Sequence, residues 1–210
     1  MEKLTGAGVY YGASMVQAIS CQSEDVYMIG GGNSAGQSAI FFSKYARKVT
    51  LLVRGNSISK GMSKYLINQI NETKNIEVWI NCEITEVKGE NRLEEIVVND
   101  IKTGEKRTLP TSSLFVFIGA QPHTNWLAGV VERDKNGFIL TGPDLIRFGD
   151  HKNSHPRGWT LERDPFLLET NIPGVFAASD VRLGSIKRVA SGVGEGSIAI
   201  QFVHQYLNRV

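Results

Sequence analysis

With 210 residues and a hydrophobic fraction of 41%, the chain can bury one large core or two smaller ones. A net charge of +2 is too mild for a nucleic-acid or anionic-membrane surface, no apolar run is long enough to cross a bilayer, and the first residues, MEKLTGAGVYYGAS, lack the regions of a signal peptide. The two cysteines, Cys21 and Cys82, form no C-x-x-C pair, which points to isolated thiols in a reducing, cytoplasmic compartment.

Residues 1–25 mix glycines and paired aromatics with a helix-like MVQAISC, and 1–19 reads as a connector into the first domain. Residues 26–55, VYMIGGGNSAGQSAIFFSKYARKVTLLVRG, carry the organising pattern. An apolar run at 26–29 opens onto Gly30, Gly31 and Gly32. A segment of helical period follows, with Ala35, Ala39 and Ile40 on its inner face, and then a second apolar run at 49–53. The order is strand, glycine turn, helix, strand. Gly30-x-Gly32-x-x-Ala35 fits the dinucleotide fingerprint, and the flanking strands are the context that fingerprint requires. Gly30 permits the tight turn, Gly32 lets the backbone approach a pyrophosphate, and Ala35 lets the helix close on the strand. The amides near Asn33, Ser34 and Ala35, with the helix dipole, then hold the phosphates. The end of the second strand selects the cofactor. An acid there binds the ribose 2′-OH of NAD, whereas an arginine accommodates the 2′-phosphate of NADP. The residue is Arg54, and Ser59 and Lys60 in the next loop add donors, so the pattern favours NADPH.

Residues 61–72 place Met62, Leu66, Ile67 and Ile70 at the spacing of a core-facing helix, and Ile76, Val78 and Ile80 alternate as a third strand. From 82 to 109, short alternating segments are split by turn signals at Gly89-Glu90-Asn91 and Lys102-Thr103-Gly104. They read as an antiparallel meander inserted before the last parallel strand, 114–118. Ligands lie beyond the carboxyl ends of such strands, so Ile118, Gly119 and Ala120 are candidates for lining the nicotinamide end. Residues 121–170 read as irregular, with a long loop at 142–165. His151 and His155 within it have a metal-like spacing, but no cysteine or carboxylate cluster completes a site, so no metal is assigned. The run GVFAASD, 174–180, reads as a buried strand ending in Asp180. The segment 189–207 reads as a helix whose small early residues lie against something flat or anionic. No residue reads as an acid, base or nucleophile, so no catalytic residue is assigned.

Three stretches together resemble one family: residues 26–55, LFVFIGAQPHTNWL, and IPGVFAASDVR followed by KRVASGVGEGSIAI. The family is the low-molecular-weight thioredoxin reductases and their relatives among the FAD/NAD(P)-dependent pyridine nucleotide-disulphide oxidoreductases. The resemblance implies an α/β fold. A Rossmann-like NADPH-binding domain with a β-meander insertion spans about 20–121, and the C-terminal portion of an FAD-binding domain spans about 122–210. It implies that Asp180 bonds FAD near the ribityl and pyrophosphate, that Arg188 and Val189 lie by the isoalloxazine ring, and that hydride passes from NADPH to FAD. It also implies a homodimer and a redox protein acceptor for the full-length enzyme.

Three departures qualify the match. The two positions of the family's redox C-x-x-C are Gly12 and Met15, and neither can take part in thiol exchange. The family's usual Gly-Asp is Ser179-Asp180, whose extra side chain is expected to crowd the flavin. Residues 1–19 do not supply the N-terminal FAD half, so the chain is expected to be a fragment that binds FAD poorly and is inactive alone. The first departure leaves open an NADPH–acceptor reductase of ferredoxin type without dithiol chemistry. The first and third together leave open a non-catalytic nucleotide-binding module, against which stand the intact flavin-side motifs from Asp180 to Gly196.

Overall fold

The computed structural model describes residues 2–149, 151–152, 155–156 and 158–208. The chain forms two compact units, Met1–Gly119 and Ala120–Val210. In the first unit the strands are β1 (Val9–Tyr10), β2 (Asp25–Ile29), β3 (Lys48–Val53), β4 (Ile76–Ile80), β5 (Cys82–Lys88), β6 (Glu95–Asp100), β7 (Lys106–Pro110) and β8 (Leu114–Val116). Its helices are α1 (Met15–Ser20), α2 (Asn33–Phe42) and α3 (Lys64–Glu72). Five strands form an all-parallel sheet in the order β1-β8-β2-β3-β4, and β5-β6-β7 form a separate antiparallel meander.

A parallel sheet is covered on both faces, so its central strands read as unbroken apolar runs. Alternation along the strands divides them between two cores. Met28, Leu51 and Phe115 join Ala35, Ala39 and Phe42 of α2 and Leu66 and Ile70 of α3. Tyr27, Leu52, Leu114 and Val116 face the other way and pack with Ile96 and Val98 of the meander. The meander is therefore the second cover of the sheet. Ile40, expected on the inner face of α2, is only partly buried; Phe42 takes that place and meets Phe115 edge-on at 4.5 Å. The expected connector contributes β1, which lies against β8 as an edge strand of the sheet.

The second unit differs from the sequence reading in two places. The expected long loop contains α4 (Pro143–Phe148) and a short antiparallel ladder, β9 (His151–Lys152) with β10 (His155–Pro156). Proline at the first helical turn starts α4 because its ring presets φ and its missing N–H is not needed there. The side chains of His151 and His155 lie outside the described residues. The expected strand at 174–180 is reduced to a bridge between Phe176 and Glu169. Its neighbour runs alongside for too short a distance to form a ladder, and Ser179 then turns with φ +66. The final helix, α5 (Val189–Leu207), has the expected bounds. Among the described residues, no helix is long and apolar enough to cross a membrane.

A buried charge pair ties the second unit together. Glu169 is fully buried and accepts from both terminal nitrogens of Arg163, at 2.7 and 2.9 Å, and from the amides of Phe166 and Gly174. The Arg163 guanidinium also lies 4.0 Å from the Phe166 ring centre, and its carbonyl receives the Trp159 indole N–H. Burial pushes the Glu169 carboxyl up, but the donors on it outweigh burial and hold it below the ordinary 4.5. A depressed carboxyl stabilises the fold fully above its unfolded value and loses that effect as pH falls through the folded one. We expect Glu169→Ala, which strips a partly buried guanidinium of its carboxylate, to destabilise the unit by about 3 kcal/mol at neutral pH. Denaturant titrations should show wild type losing stability below about pH 4.5, with the variant lacking that component.

Candidate functional site

The site is built on the carboxyl edge of the parallel sheet. Ile29 is in register with Leu52 on one side and with Val116 on the other. The next residues along each strand therefore leave the sheet at one edge. They are Gly30 to Gly32 after β2, Arg54 after β3, and Phe117 to Gly119 after β8. The structure thus brings to one edge the glycine turn, Arg54, and Ile118 and Gly119, the residues that the sequence singles out as candidates. The strand order reverses at β2, where chain continuity passes to β3 and the later β8 lies on the opposite side. Such a switch point is where open α/β sheets bind ligands.

The three glycines do different work. Gly30 has φ +143, and a Cβ there would lie 2.6 Å from the Phe117 carbonyl and 3.2 Å from the Ala35 Cβ. No side chain fits, and Ala35 is fully buried directly against it. A Cβ on Gly31 would lie 3.0 Å from the Val53 side chain, a tight approach. Gly32 is another case. Its backbone is extended, with φ −99 and ψ 179, which any residue adopts. A Cβ on it would meet only the Gly61 carbonyl, at an ordinary 3.7 Å. The fold itself therefore makes no demand for glycine at 32. That bare position suits an outside group approaching the backbone.

Gly32 caps α2 without a side-chain hydrogen bond, and the first bond of the helix runs from the Gly36 N–H to the Gly32 carbonyl at 3.1 Å. The amides of Asn33, Ser34 and Ala35 precede that ladder and point out of the helix end with its positive dipole. The Asn33 side chain is directed elsewhere. Its Oδ1 accepts from the Ser63 amide at 2.7 Å. Arg54 is exposed, with 86% of its side chain open, and its nearest charge is Glu83 of β5 at 3.9 Å. Sequence reasoning missed this carboxylate, which lies far along the chain and reaches Arg54 only through the meander. A pair this open contributes little, so the guanidinium stays available. Ser59 shares its hydroxyl with Ser57 at 2.7 Å, and Lys60 is exposed beside Gly61. Ile118, two residues beyond β8, is 71% exposed, and Gly119 turns with φ +92.

The second unit holds the remaining candidates. Asp180 is exposed in a short turn, Ser179–Val181, and Arg188 and Val189 are exposed at the start of α5. Ser179 does carry the extra side chain, in a left-handed conformation natural to glycine. Its hydroxyl lies 2.6 Å from where a Cβ on Gly192 would be, so the side chain is accommodated against α5 by a glycine. Two residues not foreseen from sequence fix this turn. Glu195 of α5 accepts from the Ser179 amide at 2.6 Å and from the Arg182 guanidinium at 2.6 Å. That guanidinium, with the amide, holds the Glu195 carboxyl below the usual range despite its partial burial. No residue of α5 is buried, and Gly194 and Gly196 face open space.

Neither thiol fits an exchange role. Cys21 is buried and donates to the Ser113 hydroxyl at 3.3 Å, and Cys82 is buried beside the Ile80 carbonyl. Burial pushes both thiols up, away from the reactive thiolate. Gly12 turns with φ +140, and Met15 opens α1 with its side chain exposed.

The two outer glycines of the fingerprint can be separated by experiment. Gly30→Ala should destabilise the first unit by about 2 kcal/mol or more, from strain and overpacking. Gly32→Ala should leave thermal stability near wild type while weakening any ligand that approaches the turn. Melting curves of both variants check this, and equal destabilisation would contradict it.

A family model described as pyridine nucleotide-disulphide oxidoreductase matches residues 12–196. A "34.2 kDa protein in rubredoxin operon" of Clostridium pasteurianum is 32% identical over 206 residues, covering 98% of this chain and 58% of that protein. A thioredoxin reductase of Peptoclostridium litorale is 31% identical over 215 residues, covering 100% of this chain and 60% of that protein. The crystal structure of Lactococcus lactis thioredoxin reductase in its FR conformation superimposes with a TM-score of 0.76 at 21% identity, which shows the fold. It covers 100% of this chain and 61% of that one. The chain thus spans about three-fifths of the length of the relatives it matches. Sheet, glycine turn and family match agree: the chain belongs to the pyridine nucleotide-disulphide oxidoreductases and is of the thioredoxin reductase-like kind.

Proposed function

We propose that this chain is the NADPH-binding portion of a thioredoxin reductase-like flavoprotein oxidoreductase, with NADPH held by about 20–121 and FAD by residues of 122–210. The observation that carries this reading is the open position at Gly32, set among α2 amides outside the helix ladder and flanked along one sheet edge by Arg54 and Ile118. In this reading the amides of Asn33, Ser34 and Ala35 hold the diphosphate, and Arg54, with Ser59 and Lys60, takes the 2′-phosphate. Ile118 and Gly119 line the nicotinamide end, where an exposed apolar side chain helps exclude water. In the second unit Asp180 accepts from the flavin's polar chain, and Arg188 and Val189 border its ring. Gly194 and Gly196 of α5 support that role, since both face open space and present no Cβ to a flat group. When bound, the reduced nicotinamide supplies a hydride and the flavin accepts it. The residues of this chain contribute binding and orientation. The homodimer and the protein acceptor of the whole enzyme belong to the same proposal.

A second reading concerns where the electrons go. Gly12 and Met15 carry no thiol, and Cys21 and Cys82 are buried, which favours an acceptor reached without a dithiol relay in this part of the chain. An iron–sulfur protein of the ferredoxin type fits that reading, and one relative takes its name from a rubredoxin operon.

The cofactor choice is tested by titrating NADPH and NADH against wild type and Arg54→Ala. Loss of a charge-assisted hydrogen bond should weaken NADPH by about 2 kcal/mol and barely change NADH. Equal weakening of both cofactors would overturn the role given to Arg54.

A further inference from the structure

Residues 54–60 contain every side chain proposed for the 2′-phosphate, yet they form an exposed loop. What fixes that loop is visible at its far end. Three consecutive residues dock on the glycine turn and the start of α2. A Cβ on Gly61 would lie 3.1 Å from the Gly31 carbonyl, so the backbones touch there. Met62 is buried, its terminal atoms 2.8 Å from where a Gly36 Cβ would stand. The Ser63 amide donates to Asn33 Oδ1 at 2.7 Å. The first two contacts are shape alone. The third is polar and directional, and it joins the loop to the helix end that presents the diphosphate amides.

We propose that Asn33 is a positioning residue: through Ser63 it clasps the 54–60 loop to the glycine turn and so sets the preference for a phosphorylated ribose. This rests on the reading of the turn as an NADPH site. The near end of the loop is fixed by β3 and by the Asn81 amide on the Gly55 carbonyl, at 3.0 Å. Within it, the Ser59 amide and hydroxyl both close on the Ser57 hydroxyl. With both ends fastened, Lys60 is held directly beside Gly61 and hence beside the turn. Release of the far end frees Lys60 and Ser59 but leaves the diphosphate amides in place. The clasp therefore acts on the ratio of the two cofactors, whereas a direct contact from Asn33 to the diphosphate would act on both alike.

The test measures NADPH and NADH dissociation constants for wild type, Asn33→Ala, Asn33→Asp and Gly61→Ala, together with amide hydrogen exchange at Ser63. Asn33→Ala should weaken NADPH about fivefold to tenfold, as one lost hydrogen bond implies, with NADH changed less than about twofold. Ser63 exchange should speed up in the same variant without any cofactor present. Asn33→Asp keeps the acceptor oxygen and should keep the slow Ser63 exchange, while its added negative charge weakens both phosphate-bearing cofactors. Gly61→Ala presses the loop off the turn from the other contact and should lower the ratio as Asn33→Ala does. An unchanged ratio in Asn33→Ala, or unchanged Ser63 exchange, overturns the clasp while leaving the cofactor reading intact. If wild type binds neither nucleotide, the cofactor reading falls and the clasp with it.

Discussion

The structure depends on one close approach. At the exit of β2 the backbone of Gly30 passes between the Phe117 carbonyl and the Ala35 methyl, with room for hydrogen only. That passage allows β8 to lie alongside β2 and α2 to begin at once against the sheet. From it follow the shared carboxyl edge, the direction of the α2 dipole and the exposure of the amides ahead of Gly36. The small residues further along α2 continue the same logic, since Ala35, Gly36 and Ala39 keep the helix close enough for Met62 and Phe42 to fill the space beside it.

The second unit reaches a prepared surface by other means. Its irregular segments are held by charge pairs instead of ladders. Glu169 gathers Arg163 and two amides in the interior, and Glu195 gathers Arg182 and the Ser179 amide at the foot of α5. Each carboxylate satisfies several donors at once, which is what an acid withdrawn wholly or partly from water requires if it is to stay ionised. Burial should raise both groups, and in both the donors win. Strain at Ser179 is tolerated because Glu195 fixes its amide and Gly192 leaves space for its hydroxyl.

Much of the first unit was legible in the sequence because its signals are local. The fingerprint spacing fixes strand, turn and helix within a few residues, and turn chemistry at Gly89 and Gly104 marks the meander. What escaped was set by distant partners. Glu83 meets Arg54 only because β5 folds back beside β3, and no spacing rule foretells that. Asn33 reads from sequence as a donor near phosphates, yet its side-chain oxygen serves an amide thirty residues later. In the second unit the apolar run at 174–180 has the composition of a strand, but a strand needs a neighbour along its length, and here the pairing with 168–170 stops at a single bridge. Glu195 and Arg182 gave no signal either, because an acid within a glycine-rich helix start reads as a solvated charge.

The last helix has a consequence for handling the protein. Along one side of its nineteen residues stand Val189, Val193, Ile200 and Leu207, all substantially open to water. Apolar strips of that kind raise the interfacial tension of a molecule and lower the concentration at which it stays dispersed. Cold, dilute and mildly chaotropic buffers weaken such adhesion, whereas sulfate salts strengthen it. This helix therefore adds exposed apolar surface that a net charge of only +2 does little to keep apart.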